Sequence, residues 1–151
     1  ENNGWTFFFN SAGFIDSTQN ISNGIGFMID FKNASFVKLH EVSNQEGQDL
    51  VGDLLIDNEG IFASFKGMRD MVIFTNRRII SVNVQGITGK KRDYTSLPYS
   101  KVQAFSVESA GVFDLDAELD LWFSGLGEVR FEFNSKFDVR AFSKYLGHYI
   151  L

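Results

Sequence analysis

From residue 60 onward, apolar and polar residues alternate in short runs separated by turn-forming residues. Successive side chains of an extended chain point to opposite faces. Such runs therefore read as strands of an antiparallel sheet with one face in a core and the other in solvent. Seven runs qualify: 60–65, 70–75, 78–85, 91–96, 101–107, 115–123 and 127–134. Thr75-Asn76-Arg77 reads as a tight hairpin connection, because Asn tolerates the left-handed backbone such turns demand. Gly86, Gly89, Gly111 and Gly125 fall between runs, and Gly127 stands at the edge of one. The single proline, Pro98, falls at a strand boundary, where a missing N–H costs little.

The period changes on either side of this array. Ser135 with Asp138 resembles a capping box, and Val139, Phe142, Leu146 and Tyr149 then recur at helical spacing. Upstream, residues 28–58 read as helical. Asn33 or Ser35 would start a helix through Phe36, Val37, Leu39 and His40 that ends near Val42. Gly47 breaks the pattern, and 48–55 suggests a second turn or two. Ile56-Asp57-Asn58-Glu59-Gly60 is a turn cluster leading into the first strand. Residues 1–27 are rich in Asn, Ser and Gly around Trp5, Phe7, Phe8 and Phe9. They read as an extension outside the domain, either an aromatic flap or a segment foreign to the core, with Met28 a natural first residue of the compact protein. The fold class expected is mainly β with helices: a bent seven-stranded antiparallel barrel capped by a C-terminal helix. The chain divides into an extension (1–27), an N-terminal helical segment (28–58) and the barrel domain (59–151).

Composition narrows the function. A chain of 151 residues fits one domain. A globule of this size buries roughly 70% of its unfolded surface, enough for a core without staples. There is no cysteine, which rules out disulfides and thiolate chemistry and suits a reducing cytoplasm. Seventeen phenylalanines point to an aromatic core. The formal net charge of -5 argues against nucleic acid as the partner and weakens adsorption to an anionic membrane. No apolar run approaches the roughly 20 residues needed to span a bilayer, and Glu1 to Phe27 lacks the cations of a signal peptide.

Several motifs occur in a fixed order: FTNRRII, QGITGKK, LPYSKV, and FSVESAGVFDLDAEL followed by LWFSG. From about Ile29 to Leu151 the chain resembles the bacterial pleckstrin-homology (PH) domain family, first catalogued as a domain of unknown function. The resemblance implies a PH-like barrel with N-terminal helices, assembled into ring-like homo-oligomers. It implies no established catalytic activity, no cofactor and no agreed ligand.

Asp114, Asp116, Glu118 and Asp120 alternate with Leu115, Ala117, Leu119 and Leu121, which puts four carboxylates on one face of a strand. Same-face neighbours in a strand stand roughly 7 Å apart. Calcium needs oxygens at roughly 2.3–2.6 Å, so the row alone chelates no metal. A three-residue loop at Ser124-Gly125-Leu126 puts Leu119 and Leu121 on the face of Val129, Phe131 and Phe133. The same register sets Asp120 opposite Arg130 and Glu118 opposite Glu132. The Glu–Glu pair is unfavourable unless a cation arrives. Arg77, Arg78 or the Lys90-Lys91-Arg92 cluster of another copy could supply it, which hints at self-assembly, with a protein as the further partner. Trp122 shares the acidic parity, an odd place for a solvated indole, and is expected in an intersubunit contact.

The rival function is a membrane-peripheral module. PH domains that hold phosphoinositides carry cations in the loop joining their first two strands. Here that loop offers Lys66 and Arg69, with Asp70 offsetting part of the field. Lys90, Lys91 and Arg92 are a further anion-binding possibility. The stretch Gly86-Ile87-Thr88-Gly89-Lys90-Lys91 is too short for a phosphate-binding P-loop and lacks its Ser or Thr. His40 and His148 each fall on an expected helix with no convergent partners, and the plentiful carboxylates lie on an open ladder. No enzymatic activity is expected.

Overall fold

The computed structural model describes residues 34–112, 116–134 and 137–151. The expectations placed on 1–33, on Asp114 and Leu115, and on Ser135 lie outside the described residues. Eight strands are described: β1 (Ala34–Val42), β2 (Ile61–Lys66), β3 (Asp70–Thr75), β4 (Arg78–Gln85), β5 (Lys91–Pro98), β6 (Val102–Glu108), β7 (Ala117–Phe123) and β8 (Gly127–Phe133). Two α-helices join them, α1 (Asn44–Val51) and α2 (Val139–Ile150). The strands form one sheet in the order β5-β4-β3-β2-β1-β8-β7-β6. The seven expected runs are all present, and the mainly β architecture with a C-terminal helix holds. β5 and β6 are the two ends of the ladder and are linked by a short helical turn, Tyr99–Lys101.

The eighth strand corrects the reading of 28–58 as a helical segment. The stretch through Phe36, Leu39, His40 and Val42 is β1, which runs parallel to β8 and antiparallel to β2 in the middle of the sheet. The cause is a bulge. Phe36 aligns with Phe131 and Leu39 with Phe133, so three steps on β1 match two on β8, and Lys38 absorbs the excess at φ 55°. Phe36 and Leu39 are both buried, at 2% and 1% exposure. Their spacing of three imitates a helical face. The helix comes later, with Ser43 as its cap accepting from the Glu46 amide. Gly47 does not break that helix. It lies inside it, where an added Cβ would collide with Ser64 Oγ, and so lets α1 sit against β2.

Burial follows the alternation of the strands. The inner faces contribute Phe65, Phe74, Leu119, Leu121, Val129, Phe131 and Phe133, all fully buried, and α2 closes the core with Val139, Phe142 and Leu146. The helix is capped by Asp138, which accepts from the Arg140 and Ala141 amides. Half-buried Tyr149 completes its apolar face by stacking on Phe62 at 5.3 Å. A smaller cluster of Val51, Ile73, Ile80 and Val82 lies on the other side of the sheet.

The β3–β4 hairpin departs from its expected chemistry. The left-handed residue is Asn58 at φ 61°, not Asn76. Asn76 instead accepts from the Gly60 amide through Oδ1 and donates to the Asn58 carbonyl, both at 3.0 Å, which ties the hairpin to the chain entering β2. Beside it, the Thr75 hydroxyl accepts from the amides of Arg77 and Arg78, each at 3.0 Å.

Candidate functional site

Two surfaces collect the charged residues. The first is the outer face of β6, β7 and β8. Across these strands Glu108, Glu118 and Glu132 form one row, Ser106, Asp120 and Arg130 the next, and Ala104, Trp122 and Glu128 the third. The Asp120–Arg130 and Glu118–Glu132 alignments and the Ser124-Gly125-Leu126 loop are as the sequence parity requires, with Gly125 at φ 78°.

The cation that reaches this face belongs to the same chain. Arg130 binds Asp120 through Nε at 2.8 Å and Nη2 at 3.1 Å, and its head also lies 3.3 Å from Glu118 and 3.5 Å from Glu128. The bidentate geometry holds Asp120 at 8% exposure although it points away from the core. Three carboxylates thus share this one guanidinium, and Glu108 and Glu132 flank Glu118 in the neighbouring strands. Burial first, then the carboxylates of Glu108, Asp120 and Glu132, push Glu118 above the ordinary glutamate range against the pull of Arg130. Asp116 is exposed just before β7, Asp114 lies outside the described residues, and Trp122 is half-buried between Ala104 and Glu128.

The second surface is built by the β2–β3 and β4–β5 loops. The amide of Gly67 donates to the Asp70 carbonyl at 2.8 Å, and the amide of Val84 to the Arg69 carbonyl at 3.2 Å, which fastens one loop to the next strand. Lys66, Gly67, Met68, Arg69, Asp70, Val84 and Gly86 line a shallow pocket of about 180 Å³. Met68 and Ile87 stand out as the loop tips, at 96% and 105% exposure. Lys66, Arg69, Lys90, Lys91 and Arg92 are all exposed around them. Among the described residues no carboxylate lies within ion-pair distance of these five cations. Alternation marked the acidic face; the exposed tips carried no periodic signal and depended on which loops become neighbours.

The expected interface arginines separate. Arg77 is exposed in the β3–β4 turn. Arg78 is engaged within its own chain. Its Nε and Nη2 meet the two oxygens of Glu59 at 2.9 and 3.0 Å, and Nη1 and Nη2 donate to Ser96 Oγ and the Leu54 carbonyl. His40 and His148 are both exposed, His40 on β1 rather than on a helix. Among the described residues no group of three or more His, Asp or Glu side chains is arranged to hold a metal ion. No described helix is long and apolar enough to cross a membrane.

Comparison with known proteins decides the family. The model of the bacterial PH domain matches residues 30–150. The chain belongs to the bacterial PH domain family. Over 78 residues it is 49% identical to the uncharacterized protein YjqA of Bacillus subtilis, covering 52% of this chain and 62% of that protein. Over 66 residues it is 36% identical to the uncharacterized protein YozO of the same organism, covering 44% of this chain and 57% of that one. Both matches thus span less than two thirds of the relatives' length. A crystal structure from Shewanella loihica, of a DUF1696 family protein with a pleckstrin-homology domain, is similar at 38% identity and a TM-score of 0.66. The similarity covers 77% of this chain and all of that one. A pleckstrin-homology domain from Shewanella amazonensis is similar at 39% identity and a TM-score of 0.56, covering 73% and 90%. This PH domain thus carries Glu118 and Asp120 on one sheet face and Lys66, Arg69 and Lys90 at the β2–β3 and β4–β5 loops.

Proposed function

We propose that this PH domain is a non-catalytic binding and assembly module. It forms ring-like homo-oligomers in which the acidic face of β6–β8 meets the basic loop end of the next copy, leaving a surface for a protein partner. The observation that supports this is the charge imbalance. Glu108, Glu118 and Glu132 sit side by side with Arg130 reaching Glu118, while five exposed lysines and arginines belong to the segments around Met68 and Ile87. Each surface carries an excess of the charge the other can neutralise. A contact between two different patches is heterologous and closes into a ring when its rotation permits. Native mass spectrometry and light scattering test the reading. Wild type is expected to be oligomeric at low salt and to dissociate at about 1 M, where screening acts within ~3 Å. Glu108→Lys with Glu132→Lys is expected to be monomeric at low salt. A wild type monomeric at both salt concentrations sinks the reading.

The exposed apolar tips favour a second reading, an anionic membrane surface as the occupant of the same loop end. Met68 and Ile87 would enter the headgroup layer while the surrounding cations meet lipid phosphates. Cations near such a surface contribute about 1 kcal/mol each, so Lys66→Ala with Arg69→Ala is expected to weaken sedimentation with phosphatidylglycerol vesicles roughly thirty-fold. Absence of wild-type binding removes this reading.

A further inference from the structure

The loop end holds one group that neither reading employs. Asp70 opens β3 at the wall of the pocket, and its Oδ1 is shielded from solvent with no hydrogen-bond partner. The backbone on both sides is pinned, since the Asp70 carbonyl accepts from Gly67 and the Arg69 carbonyl from Val84. The main chain thus holds Asp70 in the same pocket wall as the cations Lys66 and Arg69. An ionised oxygen left without a donor is costly, and a proton or a ligand relieves it.

We infer that Asp70 is a proton-operated gate on anionic-lipid binding at this loop. Ionised, it offsets part of the field of the two cations lining the pocket. Neutral, it leaves both in force and offers a hydroxyl to a lipid phosphate. The inference rests on the membrane reading above. Burial holds the Asp70 carboxyl above the ordinary aspartate range, which moves the change toward mild acid. The groups facing this region from neighbouring elements are His40, opposite Lys66 on β1, and Asn83, opposite Asp70 on β4. Beyond them are Asp93, opposite Asn83, and the cations Lys90, Lys91 and Arg92 of the β4–β5 segment. His40, the imidazole opposite Lys66, is given its own control.

The test is sedimentation of the full chain with mixed phosphatidylcholine–phosphatidylglycerol vesicles between about pH 7.5 and about pH 5. Wild type is expected to bind several-fold more strongly at the acid end. Asp70→Asn, which copies the protonated shape, should bind at neutral pH as wild type does in acid, with a nearly flat profile. Asp70→Ser should be similarly flat should the amide perturb folding, and His40→Gln should keep the wild-type rise. A wild-type slope in Asp70→Asn and Asp70→Ser, or a flat His40→Gln, overturns the gate while leaving the membrane reading intact. Failure of wild type to sediment at every pH overturns both.

Discussion

Replacing Arg78 by Ala is expected to lower the melting temperature by on the order of 10 °C. Loss of one partner of a buried ion pair costs about 3–5 kcal/mol, and each kcal/mol moves a domain of this size by about 2–4 °C. The size of the effect comes from what is left behind. The Glu59 side chain is fully buried, and its oxygens are held by Arg78, by the Ile56 amide at 3.0 Å and by the Thr75 hydroxyl at 2.7 Å. Arg78 also donates to the Leu54 carbonyl at 2.7 Å, so one guanidinium ties β4 to the turn ahead of β2. Burial pushes the Glu59 carboxyl upward. The hydrogen bonds from Arg78, Ile56 and Thr75, with the Arg78 charge, outweigh it and hold the group below its ordinary value of 4.5. A lowered folded pKa stabilises the protein fully above the unfolded value, and this contribution fades as pH falls through the folded one. Wild type should therefore lose stability below about pH 4.5 more steeply than Glu59→Gln, whose melting temperature starts lower and declines less. Parallel acid titrations of the two would refute the network's role.

This network was invisible in the sequence for a physical reason. Glu59 read as part of a turn cluster and Arg78 as a cation for another copy's acidic face, because their partnership depends on the turn folding back over the start of β4. Alternation, by contrast, is local. It placed β3 and β4 to the residue, and parity alone aligned Asp120 with Arg130 and Glu118 with Glu132. Where local spacing misled, a long-range feature had altered it. The β1 bulge turned a period of two into an apparent three, and only the partner strand β8 reveals the extra residue. The acidic face was legible because its residues lie on consecutive alternate positions. Its cation was sought in another copy because Arg130 was assigned to Asp120 alone, whereas the guanidinium also reaches Glu118 and Glu128. The loop end brings together tips 19 positions apart, Met68 and Ile87, and no spacing rule announces such a meeting.

Phe65→Ala should cost about 3–5 kcal/mol, the cost of a fully buried phenylalanine truncated in a core that relaxes only partly. Phe65 has 0% exposure and meets four other rings: Phe74, Phe133, Phe137 and Phe142, at centroid distances of 5.7, 4.8, 4.9 and 5.6 Å. Three of these contacts are edge-on, at interplanar angles of 86–88°, and such pairs contribute about 0.5–1.5 kcal/mol each beyond the area they bury. The ring thus joins β2 to β3, to β8 and to α2 at one point. Urea unfolding should show the midpoint falling with the slope unchanged, and a slope that changes instead would mean that the folded state had loosened as a whole. Phe65 also immediately precedes Lys66, so the cavity opens beneath the start of the β2–β3 loop. Hydrogen exchange at the Gly67 amide, now bonded to the Asp70 carbonyl at 2.8 Å, should quicken more than at the Asn76 amide, bonded to the Gly60 carbonyl at the far end of the same strands. Equal acceleration at both ends would show that Phe65 supports the sheet generally and does not set the order of the loop that carries Lys66 and Arg69.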